Sequence, residues 1–106
     1  MGIEDFRASL REFVKERDWE QFHTPENLAK SISIEASELL ECYQWSSETD
    51  LEEVKRELAD VFTYVILLAD RLGLDPLEIA EMKLAETRLK YPIAKAKGKS
   101  EKYDRL

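Results

Sequence analysis

The sequence predicts an all-α protein, a four-helix bundle. Three observations carry this. Apolar residues recur at helical spacing in four separate stretches. Gly and Pro together number only six among 106 residues, too few for a turn-rich β protein. The links between the stretches are short, which suits neighbouring antiparallel helices.

The first helix is expected from about Glu4 to Arg17, with Phe6, Leu10, Phe13 and Val14 on one face. The second opens at Thr24-Pro25, where threonine caps and proline suits the first helical position. It is expected to reach Tyr43 or Gln44. The third follows Thr49, because Thr49-Asp50-Leu51-Glu52 has the spacing of a capping box. It is expected to stop at Leu72, before Gly73 as the C-terminal cap. The fourth opens at Asp75-Pro76 and runs to about Lys90, ahead of Pro92. Residues 1–106 are read as one domain ending in a basic tail, 92–106. Helix three is apolar over much of its circumference from Leu58 to Ala69, so it is expected to pack on more than one side and to self-associate.

Composition excludes several classes. The longest nearly uninterrupted apolar run, Val61 to Ala69, is too short to span a bilayer. The opening MGIEDF carries acids where a signal peptide carries bases, so a cytoplasmic location is expected. A lone cysteine, Cys42, leaves no internal disulfide and no thiolate zinc site. With 16 Lys+Arg against 23 Asp+Glu the net charge is −7, so neither nucleic acid nor membrane is expected as a partner. The charge is uneven. The tail holds five bases against two acids, and the first 91 residues hold 11 against 21. The tail is read either as a solvated, frayed end or as an arm for an anion held by the acidic body.

The carboxylates are the chemical signal. On helix two, Leu28, Ile32, Leu39 and Tyr43 mark the buried stripe, and Glu35 lies about 20° from Leu28, inside it. A carboxylate there is costly unless paired, hydrogen-bonded or metal-bound. Glu38 sits at the stripe edge. Helix three has a stripe through Val54, Leu58, Val61, Val65 and Leu72, with Glu57 and Asp60 on its flank near Tyr64, Leu67 and Leu68. Each helix thus offers an i, i+3 acidic pair on one face. On antiparallel neighbours the four would converge. Oxygen-only ligands suit Mg²⁺ or Mn²⁺. Glu41 and Glu53 are read as outer ligands or as solvated acids. The competing reading of Glu35 is a salt bridge to a neighbouring helix.

Four segments, ERDWEQFHTPENL, EASELLECYQW, ELADVFTYVILLAD and KLAETRLKYP with its tail, together resemble the MazG-like all-α nucleoside triphosphate pyrophosphohydrolases, close to the dCTP pyrophosphatase branch. The resemblance spans nearly the whole chain. It implies a homodimer or homotetramer, a required Mg²⁺, and attack of water on the α-phosphorus of a nucleoside triphosphate, usually a deoxy one. It implies Glu35, Glu38, Glu57 and Asp60 as metal ligands. It further implies Trp19 and Trp45 flanking the base, Tyr64 in the active site, and Lys83, Lys102 and Tyr103 closing over the phosphates. Two departures bear on selectivity: Thr87 stands where the family often has Asn, and Leu10 where animal dCTP pyrophosphatases have His.

An acidic pocket binds a triphosphate only with divalent metal to screen the repulsion. One carboxylate must orient the attacking water, and Glu38 is chosen, with Glu41 as rival. The aromatics have a structural alternative as core or interface anchors. His23 is a candidate substrate contact or a hydrogen-bonding residue at a helix start. Asn27 serves either the first helical turn or the substrate. A second reading keeps this chemistry but changes the substrate to a damaged or modified nucleotide or a phosphoribosyl-ATP-like compound. A third is a non-catalytic helical adaptor, and Glu35 discriminates against it, since an adaptor gains nothing from a carboxylate in its core stripe.

Overall fold

The computed structural model describes residues 1–106, all helix, turn and loop, with no strand. The helices are α1 (Ile3–Glu16), α2 (Pro25–Glu41), α3 (Leu51–Arg71), α4 (Pro76–Lys90) and a single turn α5 (Ile93–Ala96). Short 3₁₀ turns lie at Glu20–Phe22 and Tyr103–Arg105. No helix is long and apolar enough to cross a membrane. The chain divides into two compact units, Met1–Leu74 and Asp75–Leu106.

In the first unit α2 and α3 form an antiparallel pair. At one end the Arg71 Nε donates to the His23 carbonyl at 3.1 Å. At the other, Cys42 and Glu53 line one cavity. Each helix starts on a local cap. The Thr24 hydroxyl accepts the Asn27 N–H at 3.2 Å. For α3 the cap is Asp50, one residue later than expected, because its carboxylate takes the Glu52 N–H at 3.0 Å. Gly73 does end α3, at φ +70°, the left-handed region open to glycine. The end of α2 differs from expectation. Cys42, Tyr43 and Gln44 each donate to the carbonyl three residues back, so the helix tightens and stops at Glu41. Trp45 therefore leaves the helix and is 90% exposed.

The core is small: Val14 of α1, Leu28 of α2, and Ile66 and Ala69 of α3. The expected stripe on α3 is off by one edge. Val65 and Leu72 are exposed, and Ile66 and Ala69, three apart, face inward instead. The apolar arc of α3 is wider than its neighbours cover, and packing selects one side of it.

One polar tie joins α1 to α3. The buried Arg7 guanidinium meets Glu4 at 3.0 Å and Asp70 at 3.2 Å, and Arg11 also donates to Asp70. Hydrogen bonding from Arg11, with the Arg7 contact, holds the Asp70 carboxyl below its ordinary range. Asp70→Asn is expected to cost about 2 kcal/mol, because it strips a buried cation of its partner. Leu28→Ala is expected to cost about 2–5 kcal/mol through lost burial and a cavity. Denaturant melts of both variants read these values.

In the second unit the Asp75 carboxylate caps α4, accepting from Leu77 and Glu78 at 2.9 and 3.2 Å. The tail is folded rather than frayed. The Tyr103 N–H donates to the Tyr91 hydroxyl at 3.1 Å, and the two rings meet edge to face at 6.1 Å. Lys90 Nζ lies 4.9 Å over the Tyr103 ring.

Candidate metal centre

Antiparallel packing of α2 on α3 sets Glu35, two turns in from the end of α2, against Glu57 and Asp60 of α3. One carboxylate oxygen from each of the three lies within 4.8 Å of the others. Glu35 and Glu57 are half-buried and Asp60 is exposed. Neither Glu35 nor Glu57 takes part in any ion pair of the chain, so the salt-bridge reading of Glu35 falls. Their Oε2 atoms are buried without a hydrogen-bond partner.

The electrostatics follow from that crowding. Burial pushes the Glu35 carboxyl up to about 7, helped by the adjacent Glu38 and the charges of Asp60 and Glu57. Glu57 is pushed up for the same reasons, burial first and Glu38 next. Glu38 is therefore a near neighbour of both. It also lines a cavity of about 400 Å³ with Glu41, Cys42, Glu53, Arg56 and Glu57. One buried oxygen of Glu35 and one of Glu57 meet no donor, and such oxygens gain from a bound cation. Their all-oxygen chemistry fits a hard divalent ion. The Cys42 thiol is pushed up, by burial and then by Glu53 and Glu57, so it is a poor nucleophile.

The other candidates are placed as follows. Tyr64 is half-buried one turn beyond Asp60 on α3. Trp19 packs edge-on to Phe13 at 5.5 Å and stays 42% exposed. Trp45 is exposed beyond α2. His23 lines a second cavity of about 820 Å³ with Arg11, Lys15, Gln21 and Arg71, and none of the acidic cluster lines it. The Asn27 side chain is taken up locally, donating to the Phe22 carbonyl at 3.0 Å. Lys83, Thr87, Lys102 and Tyr103 belong to the second unit. There Lys83 pairs with Glu86 at 3.3 Å, and the Thr87 hydroxyl donates to the Lys83 carbonyl at 3.0 Å. Sequence reasoning missed Arg56, the one cation lining the acidic cavity. Its place three residues after Glu53 on the acidic face of helix three was the available signal.

The chain is similar to known proteins over nearly its whole length. A family model described as MazG-like matches residues 30–106. Mouse dCTP pyrophosphatase 1 is 36% identical over 114 residues, covering 98% of this chain and 67% of that protein. Human dCTP pyrophosphatase 1 is 36% identical over 115 residues, with the same coverage. The crystal structure of a pyrophosphatase from Archaeoglobus fulgidus superposes with a TM-score of 0.78 at 41% identity, covering 85% of this chain and 92% of that one.

Proposed function

The chain belongs to the MazG-like family and is a nucleoside triphosphate pyrophosphohydrolase, and from that premise we propose that it converts dCTP, or another deoxynucleoside triphosphate, to the monophosphate and pyrophosphate. The observation that carries the reading is the half-buried Glu35, set against Glu57 and Asp60, with one buried oxygen of Glu35 and one of Glu57 that no protein group satisfies. An adaptor surface has no use for such an arrangement.

Glu35, Glu57 and Asp60, with Glu38 beside them, would hold Mg²⁺, with Mn²⁺ as a substitute. When bound, the ion supplies charge screening and Lewis-acid polarisation of the phosphoryl oxygens. Glu38 orients the attacking water and takes its proton. The water oxygen bonds to the α-phosphorus as the bond to the bridging α,β-oxygen breaks, and pyrophosphate leaves. Trp19 and Trp45 offer aromatic faces to the base, and Tyr64 lies next to the acidic cluster along α3. Lys83, Lys102 and Tyr103 are assigned to the phosphates on the resemblance and on the charge of the lysines, and Thr87 replaces an amide there. The residues 1–106 work as one nucleotide-hydrolysing domain in cytoplasmic pool house-cleaning. Self-association as a homodimer or homotetramer is supported by the many large apolar side chains left at the surface of α3, among them Leu58, Phe62 and Val65.

Turnover on a panel of dNTPs and NTPs tests the assignment. The highest kcat/KM is expected for dCTP. Chelation is expected to abolish the rate and added Mg²⁺ or Mn²⁺ to restore it. A purine preference would overturn the base assignment, and full activity in chelator would overturn the metal.

A further inference from the structure

The link between α1 and α2 turns on Asp18. The Asp18 N–H donates to the Lys15 carbonyl and the Trp19 N–H to the Val14 carbonyl, both at 3.1 Å. This is the hydrogen-bonded reversal that usually places a glycine at its left-handed position. Here that position, φ +53°, holds Asp18, the only non-glycine residue of the chain with positive φ. Aspartate is one of the few residues besides glycine that enters this region readily, because its short carboxylate can bond locally.

It binds Gln21. The Gln21 amide donates to the Asp18 carboxylate at 3.1 Å and to the Asp18 carbonyl at 3.0 Å. Gln21 is the centre of the 3₁₀ turn Glu20–Phe22. The two bonds therefore lock that turn to the left-handed residue, and Trp19 and Glu20 are the two residues enclosed between them. Beyond Asp18, the Trp19 ring rests edge-on against Phe13. Phe13 is itself covered by the Arg17 guanidinium at 3.8 Å, which also donates to the Phe13 carbonyl. Trp19 is thus held on the backbone side and packed in a T-shaped pair against Phe13, and remains part-exposed.

We propose that the Asp18–Gln21 clamp positions Trp19 for stacking on the nucleobase, which makes Gln21 a specificity-determining positioning residue. The inference rests on the reading that Trp19 stacks on the base. Stacking requires the indole plane to be fixed, and a clamp made during folding removes the cost of ordering it when nucleotide binds.

Steady-state kinetics on dCTP and the other dNTPs test it. They are read alongside Trp19 fluorescence anisotropy and quenching by α,β-methylene-dCTP in a Trp45→Phe background. Trp19→Ala serves as reference and is expected to raise KM about tenfold or more. Gln21→Ala is expected to raise KM for dCTP about three- to tenfold with kcat held within about twofold, to narrow the preference among bases, and to lower Trp19 anisotropy. Asp18→Asn keeps a carbonyl acceptor for Gln21 and tolerates the left-handed conformation, so it is expected to raise KM less than Gln21→Ala does. A raised KM in Trp19→Ala without one in Gln21→Ala would overturn the clamp and leave stacking intact. An unchanged KM in Trp19→Ala would remove the stacking reading and the clamp with it. A Gln21→Ala protein that loses kcat and melting temperature with KM and base preference unmoved would reduce the residue to a purely structural one.

Discussion

Glu35→Gln is expected to make the metal-free protein more stable at pH 8 while abolishing its stabilisation by Mg²⁺. The sign follows from the carboxyl's position. Burial and the neighbouring acids hold it at about 7 in the folded chain, against about 4.3 when unfolded. Below that lower value both states are protonated and nothing is lost. Between the two values the unfolded chain releases the proton and the folded chain keeps it, so stability falls as pH rises through that window and levels off above about pH 7. The melting temperature of the metal-free wild type is therefore expected to fall from pH 5 to pH 8. Glutamine carries no charge, so the variant is expected to fall less across that range, keeping only the part that the raised Glu57 carboxyl contributes. At pH 8 it is expected to melt higher by on the order of 5 °C. Mg²⁺ binds the folded state and raises the melting temperature of the wild type, but the variant has lost a ligand. Asp70 contributes with the opposite sign, since its lowered carboxyl supports the fold above about pH 4 and is lost on acidification. Glu35→Gln leaves that acid limb in place. A wild type whose stability rises toward pH 8 without metal would mean that Glu35 is paired with a cation, against the structure.

Glu38→Gln is expected to reduce kcat by about 10²- to 10⁴-fold with little change in fold. Glu38 lies beside both Glu35 and Glu57 yet opens onto the cavity it shares with Glu41. In the proposed mechanism it serves the attacking water as well as the cluster. Glutamine keeps the shape and removes the base. Glu41 lines the same cavity, one turn further along α2, so Glu41→Gln is the internal comparison. Its kcat is expected to stay within about tenfold of wild type. Rapid-quench kinetics at saturating dCTP and Mg²⁺ separate the two. A larger loss in Glu41→Gln would transfer the water to that residue.

The helices and the acidic cluster were legible because both are local patterns. Thr24-Pro25, Asp75-Pro76 and Gly73 mark helix ends by the chemistry of one or two residues. The i, i+3 spacing of Glu35 with Glu38 and of Glu57 with Asp60 puts each pair on one face before any tertiary contact is known. What escaped is set by packing. The sequence shows a broad apolar arc on helix three, and only the neighbours decide that Ile66 and Ala69, not Val65 and Leu72, lie inside. The end of α2 was misplaced because no glycine or proline marks it, and three tightened hydrogen bonds close the helix instead. Arg7 could not be found as a buried tie because its partner Asp70 lies 63 residues away. Asp18 gave no warning of a left-handed turn, a conformation that glycine usually signals.

Hydrolysis of dCTP in ¹⁸O-enriched water with Mg²⁺, with mass analysis of both products, tests the central claim most directly. The expected result is dCMP carrying one ¹⁸O and unlabelled pyrophosphate, because water attacks the α-phosphorus. Label in the pyrophosphate, or formation of dCDP and phosphate, would contradict it.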